Sequence, residues 1–209
     1  MNGFLFRGGG QMRDLLFVYG SFSEGMVHYS RIAAVIEKSE PCTVFGTIFR
    51  LPVGYPAFHA QGAQKIEGHL IQVQKPEVVI PLLDQFHGCS QVDLDKSLFH
   101  RLITEAETST GEKILTQVYS VNLKRLSPRA EVVMDGDWKK ALQEKPALTQ
   151  TLTEKQRSYV VKLGKSSGRD IVPIDLNLYR ELLKLELVVD KGRRLALTAL
   201  GQDVFKFLS

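Results

Sequence analysis

The feature that most constrains this fold is a series of short apolar segments between residues 15 and 121, several of which alternate as strands do. Residues 15–20 predict a first buried strand, and residues 43–51 and 65–73 predict two more, each with a central glycine. Glycine inside a strand is typical of bulges and strong curvature. Residues 101–108 and 114–121 flank the turn signal Ser-Thr-Gly-Glu and predict an antiparallel hairpin.

Two helices are predicted among these strands. Residues 24–38 carry apolar side chains at helical spacing, and residues 75–86 begin with a proline in the first turn. We expect Pro81 to kink the second helix. Strands with a few helices and no regular alternation of the two favour the α+β class, here as a small mixed β-barrel.

Helical periodicity dominates after a linker near residues 144–153. Thr153 precedes Gln156 by three positions, which is the spacing of a capping box, and Asp175 is placed to cap a second helix. A hairpin turning at 190–192 and a closing helix at 199–208 follow. Because helix, helix, hairpin and helix occur in this order, the segment predicts a winged-helix-like domain.

These patterns divide the 209 residues into three parts. Residues 1–12 are expected to be a flexible leader, consistent with a start at Met12. Residues 13–145 are expected to form the barrel domain, and residues 146–209 the winged-helix-like domain.

Composition restricts the compartment and the partners. No apolar run approaches the roughly 20 residues of a membrane helix, so no membrane partner is expected. The two cysteines, Cys42 and Cys89, have no metal-ligand spacing and cannot form a disulfide framework, which favours the cytoplasm. The histidines also lack a recognised ligand spacing, so no metal site is predicted.

Positive charge is concentrated in the last part of the chain. Residues 1–150 are neutral overall, whereas residues 151–209 have eleven basic and seven acidic side chains. Lys191, Arg193 and Arg194 lie at the tip of the predicted wing and are candidates for contacts with DNA phosphates. The preceding helix has charges that largely cancel, so a protein partner is an equal alternative to DNA for this domain.

Four motifs occur in a specific order. The first strand ends at Tyr19-Gly20-Ser21-Phe22, and Tyr55 lies in the loop 53–58, Val-Gly-Tyr-Pro-Ala-Phe. Residues 81–89 read Pro-Leu-Leu-Asp-Gln-Phe-His-Gly-Cys, and residues 135–142 contain Gly-Asp-Trp. In this order and spacing, residues 13–142 resemble the gamma-glutamylcyclotransferase-like superfamily, which includes the avirulence-induced-gene-like (AIG2-like) proteins.

The resemblance implies a reaction. In family enzymes the α-amine of a γ-glutamyl amine attacks the γ-carbonyl, which releases 5-oxoproline and a free amine. The resemblance places the substrate against the turn after the first strand, and we assign substrate binding to Tyr19, Gly20, Ser21, Phe22 and Tyr55. Backbone amides there would act as anion donors. Because the attack is intramolecular, no metal or cofactor is expected.

The sequence departs from the family at two functional positions. His87 replaces the proton-shuttling glutamate of the Leu-Asp-x-x-Glu-Gly segment, and Phe99 replaces the tyrosine of the Tyr-x-Arg element. These losses favour a pseudoenzyme that binds a γ-glutamyl compound or a peptide end and acts as a regulator. The first alternative is an active transferase with His87 as general acid and base. The second is a DNA-binding regulator that acts through the C-terminal domain.

Two further side chains are candidates for the site. Glu67 could replace the missing carboxylate, but its alternating strand favours a solvent-exposed position. Trp138 is expected to close the core or the rim of the pocket.

Overall fold

The computed structural model describes residues 14–166 and 170–209, so the predicted leader at 1–12 lies outside the described residues. The chain forms two compact units. The first comprises the described residues up to Leu51 together with Tyr55–Ala141, and the second comprises Pro52–Gly54 and Leu142–Ser209. The domain bounds predicted from the sequence, 13–145 and 146–209, stay a prediction.

The first unit is built around a closed, mixed β-barrel. Its strands are β1 (Leu15–Val18), β2 (Ile36–Arg50), β3 (Pro56–Val73), β4 (Phe99–Thr108), β5 (Lys113–Val121) and β6 (Glu131–Val132). They are hydrogen-bonded in the order β3-β1-β5-β4-β2-β6, and an additional β2–β3 pairing closes five of them into the barrel. The β1–β5 pair is parallel and the others are antiparallel. The predicted α+β class is therefore confirmed.

Strand curvature is provided by glycine where the sequence predicted it. The β2–β3 register shifts between Gly46 and Thr47. A Cβ atom added at Gly46 would lie 2.2 Å from the Phe58 ring and 2.5 Å from the His59 carbonyl oxygen. The strand can make this close approach because the residue has no side chain.

The prediction of one of the two helices in this unit is wrong. Residues 24–38 do not form an α-helix: they contain short 3-10 turns at Tyr29–Arg31 and Ala33–Val35, after which β2 begins at Ile36. The backbone of this segment forms tight turns that are closed by hydrogen bonds between residues three positions apart, for example from Ile32 N–H to the Tyr29 carbonyl. Long-range pairing with β3 then takes over, and this tertiary interaction outweighs the local helical pattern.

The second predicted helix is present as α1 (Pro76–His87) and continues through Pro81. It ends at Gly88, which adopts a left-handed conformation (φ 60°). Its buried side chains join a core cluster with the first strand and the following turn. The buried members of that cluster are Leu16, Val18, Phe22, Ile32, Ile71, Val73, Val79, Leu83 and Tyr119. Helix α2 (Trp138–Glu144) follows β6.

The second unit is mainly helical. It contains α3 (Leu148–Thr151), α4 (Glu154–Lys165), α5 (Leu176–Lys184), β7 (Val188–Asp190), β8 (Leu195–Leu197) and α6 (Ala199–Leu208). The Thr153–Gln156 capping box and the Asp175 cap are both confirmed. The winged-helix assignment itself stays a prediction.

Candidate functional site

The turn after β1 depends on Gly20. This residue begins a short 3-10 turn (Gly20–Phe22) and has a φ of 58°. A Cβ atom here would lie 2.2 Å from Cγ of Pro56, at the start of β3. Glycine is therefore needed both for the left-handed conformation and for the close packing against Pro56.

Tyr19, immediately before the turn, has a structural role. Its ring lies near those of Phe17 and Phe58, at centroid distances of 5.9 and 5.7 Å. Its hydroxyl oxygen accepts a hydrogen bond of 2.8 Å from the Phe58 backbone N–H. Burial raises the pKa of this phenol, so Tyr19 stays neutral. We infer that its side chain holds β1 against β3.

His87, the proposed replacement for the catalytic carboxylate, lies at the end of α1. Its Nδ1 is 2.8 Å from the Leu83 carbonyl oxygen. A carbonyl only accepts, so Nδ1 carries the proton of this hydrogen bond. The imidazole stacks on Tyr119 with centroids 3.9 Å apart, and it packs against Phe22 at 5.4 Å. Phe22 and His87, both candidate site residues, are thus in direct aromatic contact.

Further aromatic rings complete the surroundings of His87. Phe86 and Phe99 present their edges to it, at 5.2 and 5.4 Å. Phe99 is the residue that the resemblance places at the family's tyrosine, and it brings a phenyl ring without a hydroxyl group against the imidazole. The orientation of the imidazole is therefore fixed by packing on several sides.

Tyr55 is linked to this aromatic group through His28. The His28 ring is buried, 6.0 Å from Tyr55 and 5.5 Å from Phe22. Its backbone N–H donates to the carbonyl of Ser21 at 2.8 Å. Sequence reasoning missed His28 because it lay in the segment predicted to be a helix, and no motif singled it out.

A polar network lies on the other side of Tyr119. The Tyr119 hydroxyl donates to Oδ1 of Asp84 at 2.8 Å, and Arg101 donates to both oxygens of the same carboxylate at 2.9 and 3.3 Å. Arg101 also donates to the side chain of Gln117. Burial raises the pKa of Tyr119, and the Asp84 carboxylate raises it further. Burial lowers the pKa of Arg101, but Asp84 outweighs burial and the pKa is raised. Asp84 is therefore committed to two donors.

A cavity of about 120 Å³ lies beside Gly20. It is bordered by Glu67, by Trp138 and by the turn at residues 135–137. Trp138 is buried, as predicted, and forms part of the wall. Glu67 is exposed on β3, also as predicted, yet it borders the cavity. Of the residues assigned to substrate binding, Gly20 borders this cavity.

The three candidate DNA contacts are together at the β7–β8 hairpin. Lys191, Arg193 and Arg194 are all exposed. The Lys191 N–H donates to the Arg194 carbonyl at 2.9 Å, and the Asp190 carboxylate accepts from the Gly192 N–H at 2.7 Å. The hairpin tip is thus an ordered cationic turn.

Within residues 14–166 and 170–209, no group of three or more His, Cys, Asp or Glu side chains is arranged to hold a metal ion. In the same part of the chain, none of the helices has the length and apolar character needed to cross a membrane.

The solved structures that resemble this chain have low sequence identity to it. YkqA from Bacillus subtilis is 22% identical with a TM-score of 0.46, and the match covers 63% of this chain and 41% of that one. An AIG2-like protein from Mus musculus is 16% identical, with a TM-score of 0.42 and coverages of 55% and 80%. An Arabidopsis thaliana protein is 22% identical, with a TM-score of 0.44 and coverages of 63% and 83%. This chain thus spans less than half the length of YkqA. No curated protein matches the sequence.

Family membership comes from the sequence of the barrel unit. The family model described as gamma-glutamyl cyclotransferase, AIG2-like, matches residues 16–140. That range contains the turn after β1, the His87 segment and Trp138. The chain therefore belongs to the AIG2-like gamma-glutamyl cyclotransferase family.

Proposed function

We propose that this chain binds a small γ-glutamyl compound without cyclising it, and that it acts as a binding or regulatory protein. The observation that carries the proposal is the packing of His87. At the position of the family's carboxylate, an imidazole stacks on Tyr119 and contacts Phe22, Phe86 and Phe99.

The chemistry of cyclotransfer explains why this packing matters. The α-amine nitrogen must lose a proton, bond to the γ-carbonyl carbon and expel the amine, which must gain a proton. A general base has to reach the α-ammonium group within hydrogen-bonding distance. The Nδ1–H of His87 donates to the Leu83 carbonyl, so Nε2 is the ring atom that would have to accept the proton, and the aromatic neighbours restrict turning of the ring toward a substrate.

Asp84, the carboxylate nearest to His87 in the sequence, does not take over this role. Asp84, three residues earlier on α1, is held by Tyr119 and Arg101. Its side chain is 14% exposed. An imidazole also lacks the negative charge that attracts a substrate ammonium group. The chain therefore keeps the family fold. The imidazole of His87 lacks the negative charge of a carboxylate, and its aromatic neighbours restrict the movement that proton transfer requires.

Ligand binding is supported by family membership and by the turn after β1. The turn of residues 20–22 is short, it is closed by hydrogen bonds from the Phe22 N–H to the Tyr19 carbonyl and from the Ser23 N–H to the Gly20 carbonyl, and Gly20 packs closely against Pro56. A rigid backbone at this position suits recognition of the carboxylate or carbonyl oxygens of a γ-glutamyl group, because little ordering is needed on binding.

The test separates binding from turnover. Purified protein is incubated with several γ-glutamyl amines between pH 6 and 9, and 5-oxoproline is measured against a heat-inactivated control. Thermal unfolding is followed with the same compounds. We expect a rise in Tm with at least one compound and no 5-oxoproline. Release of 5-oxoproline by the native chain would favour the active transferase with His87 as acid and base.

A reversion series gives matched controls. The His87→Glu/Phe99→Tyr variant restores both family residues, while His87→Gln has a similar size to glutamate without the charge. We expect 5-oxoproline release to increase in the double variant alone, provided that its Tm shows it is folded. If no γ-glutamyl compound changes the Tm of the native chain, the proposed ligand class is wrong.

A further inference from the structure

The cavity beside Gly20 is lined by other residues than those that pack around His87. His87, Tyr55 and Phe22 are not among the residues that border it. It lies between β3, the turn at 135–137 and the loop that contains Ser23 and Met26.

The walls of this cavity are firmly held. The Gln64 side-chain amide donates to the carbonyls of Val133 and Met134, at 2.7 and 2.8 Å, which fixes the following turn to β3. Gly136 has a φ of 71°, and an added Cβ atom would lie 2.9 Å from Ile66. The Arg50 guanidinium lies 5.5 Å from the centre of the Trp138 ring. The cavity is therefore a built feature of the barrel.

Two of its acidic residues are engaged within the turn. Asp135 forms an ion pair with Lys140 at 3.1 Å, which lowers the pKa of its carboxyl group. Asp137 accepts from the Lys140 backbone N–H at 3.0 Å. The charge of Asp135 is therefore paired within the turn, whereas Asp137 keeps its negative charge at the cavity.

Two further side chains of opposite charge border the cavity. Glu67 and Lys139 both border it, and neither forms an ion pair within the part of the chain that the structure describes. Lys65 is 4.0 Å from Glu107, and both side chains are substantially exposed, so this pair is weak. The cavity thus combines a free carboxylate with a free ammonium group.

We propose that this cavity binds a free α-amino acid with an apolar side chain. Glu67 would bind the α-ammonium group and Lys139 the α-carboxylate. Trp138 and Met26 supply an apolar wall for the side chain. A volume of about 120 Å³ accommodates a small ligand of this kind in place of several water molecules. Polyanions such as nucleotides are disfavoured by the acidic side chains.

Trp138 provides a direct readout, because it is the only tryptophan in the sequence. The full chain is titrated with L-leucine while its fluorescence is recorded, and the heat of binding is measured in parallel. Two analogues each lack one charge: 4-methylpentanoate has no ammonium group and 3-methylbutylamine has no carboxylate. We expect saturable binding of leucine and at least tenfold weaker binding of both analogues, since a charged contact is lost.

The variants assign each charge to one group. Glu67→Gln should weaken leucine binding about tenfold and leave 4-methylpentanoate unchanged, whereas Lys139→Gln should weaken leucine binding and leave 3-methylbutylamine unchanged. Glu37→Gln and Lys155→Gln make the same charge changes away from the cavity and should bind as the native chain does.

The absence of a saturable signal with leucine in both measurements would overturn the proposal, as would native affinity in both cavity variants. Leucine has no γ-glutamyl group and the assay involves no turnover. Gly20 borders this cavity and also belongs to the turn after β1, but a failure of leucine to bind would leave the function proposed for that turn standing.

Discussion

The imidazole ring of His87 lies parallel to the phenol ring of Tyr119, with centroids 3.9 Å apart and planes inclined by 5°. Tyr119 is itself oriented by its hydrogen bond to Asp84, one turn before His87 on α1. The imidazole of His87 is thus held by the helix that carries it and by a neighbouring strand.

This stack predicts a spectroscopic signature. The ring current of Tyr119 should shift the carbon-bound protons of His87 upfield in the NMR spectrum. Tyr119→Phe should keep the shift, because the ring is retained. Tyr119→Leu should abolish it and destabilise the protein by about 2–3 kcal/mol. His87 protons at the positions of free histidine in the native chain would contradict the stacked geometry.

The network around Asp84 predicts a measurable coupling. Tyr119→Phe removes one hydrogen bond and should cost about 1 kcal/mol of unfolding free energy. Asp84→Asn weakens both the hydrogen bond with Tyr119 and the ion pair with Arg101. It should lower the free energy of unfolding by about 2–3 kcal/mol, since Asp84 and Arg101 are largely buried. Urea unfolding of the single and double variants should give a coupling of about 1 kcal/mol. Strict additivity would mean that the two side chains do not interact.

Alkaline pH should destabilise the first unit through its buried tyrosines. The pKa values of Tyr19 and Tyr119 are raised in the folded chain, mainly by burial, whereas the unfolded chain has ordinary phenols. The stabilisation is complete below about pH 10 and is lost as the pH rises above that value, by up to about 1.4 kcal/mol per pH unit for each group. Unfolding at pH 9 to 11 should therefore show a smaller slope in Tyr119→Phe than in the native chain. An equal slope would contradict the shift.

The hairpin and the caps could be predicted because their signals are local. The turn signal between residues 108 and 113 fixes the β4–β5 pairing, which places Arg101 directly opposite Tyr119. The exact register is not obtained in this way: counting back from the predicted strand ends at 108 and 114 pairs Arg101 with Val121, whereas Glu107 pairs with Lys113 and Arg101 with Tyr119. The Thr153 capping box depends on a spacing of three residues and needs no tertiary information.

The segment before β2 could not be predicted in the same way. Its apolar spacing suits a helix, but β2 begins at Ile36 because the strand pairs with β3 as far as Val73. The aromatic packing of His87 was equally inaccessible, since Phe22, Phe99 and Tyr119 come from three separate parts of the chain. The motifs identified His87 as a candidate residue. Its aromatic neighbours come together around it only when the strands close into the barrel.

Gly20 and Gly25 form a matched pair for the turn after β1. Both have a positive φ, of 58° and 78°, but an added Cβ atom meets Pro56 at 2.2 Å in the first and nothing within 4 Å in the second. Gly25→Ala should cost about 1–2 kcal/mol from backbone strain alone. Gly20→Ala should cost about 2 kcal/mol more, because Pro56 must move. Equal losses in chemical unfolding would show that contact with Pro56 does not fix the turn.

The cationic hairpin tip is the sequence-based candidate for contact with duplex DNA, with a protein partner as the equal alternative, and salt dependence is the measurement that tests the DNA hypothesis. Arg193→Glu/Arg194→Glu should weaken binding by the full chain and reduce the slope of log affinity against log salt by about 2, one for each lost phosphate contact. Lys162→Glu/Lys165→Glu makes the same charge change on α4 and serves as the control. If the two variants lose affinity equally, the attraction depends on net charge and the hairpin makes no specific contact. If only the hairpin variant loses it, Arg193 and Arg194 touch the phosphates.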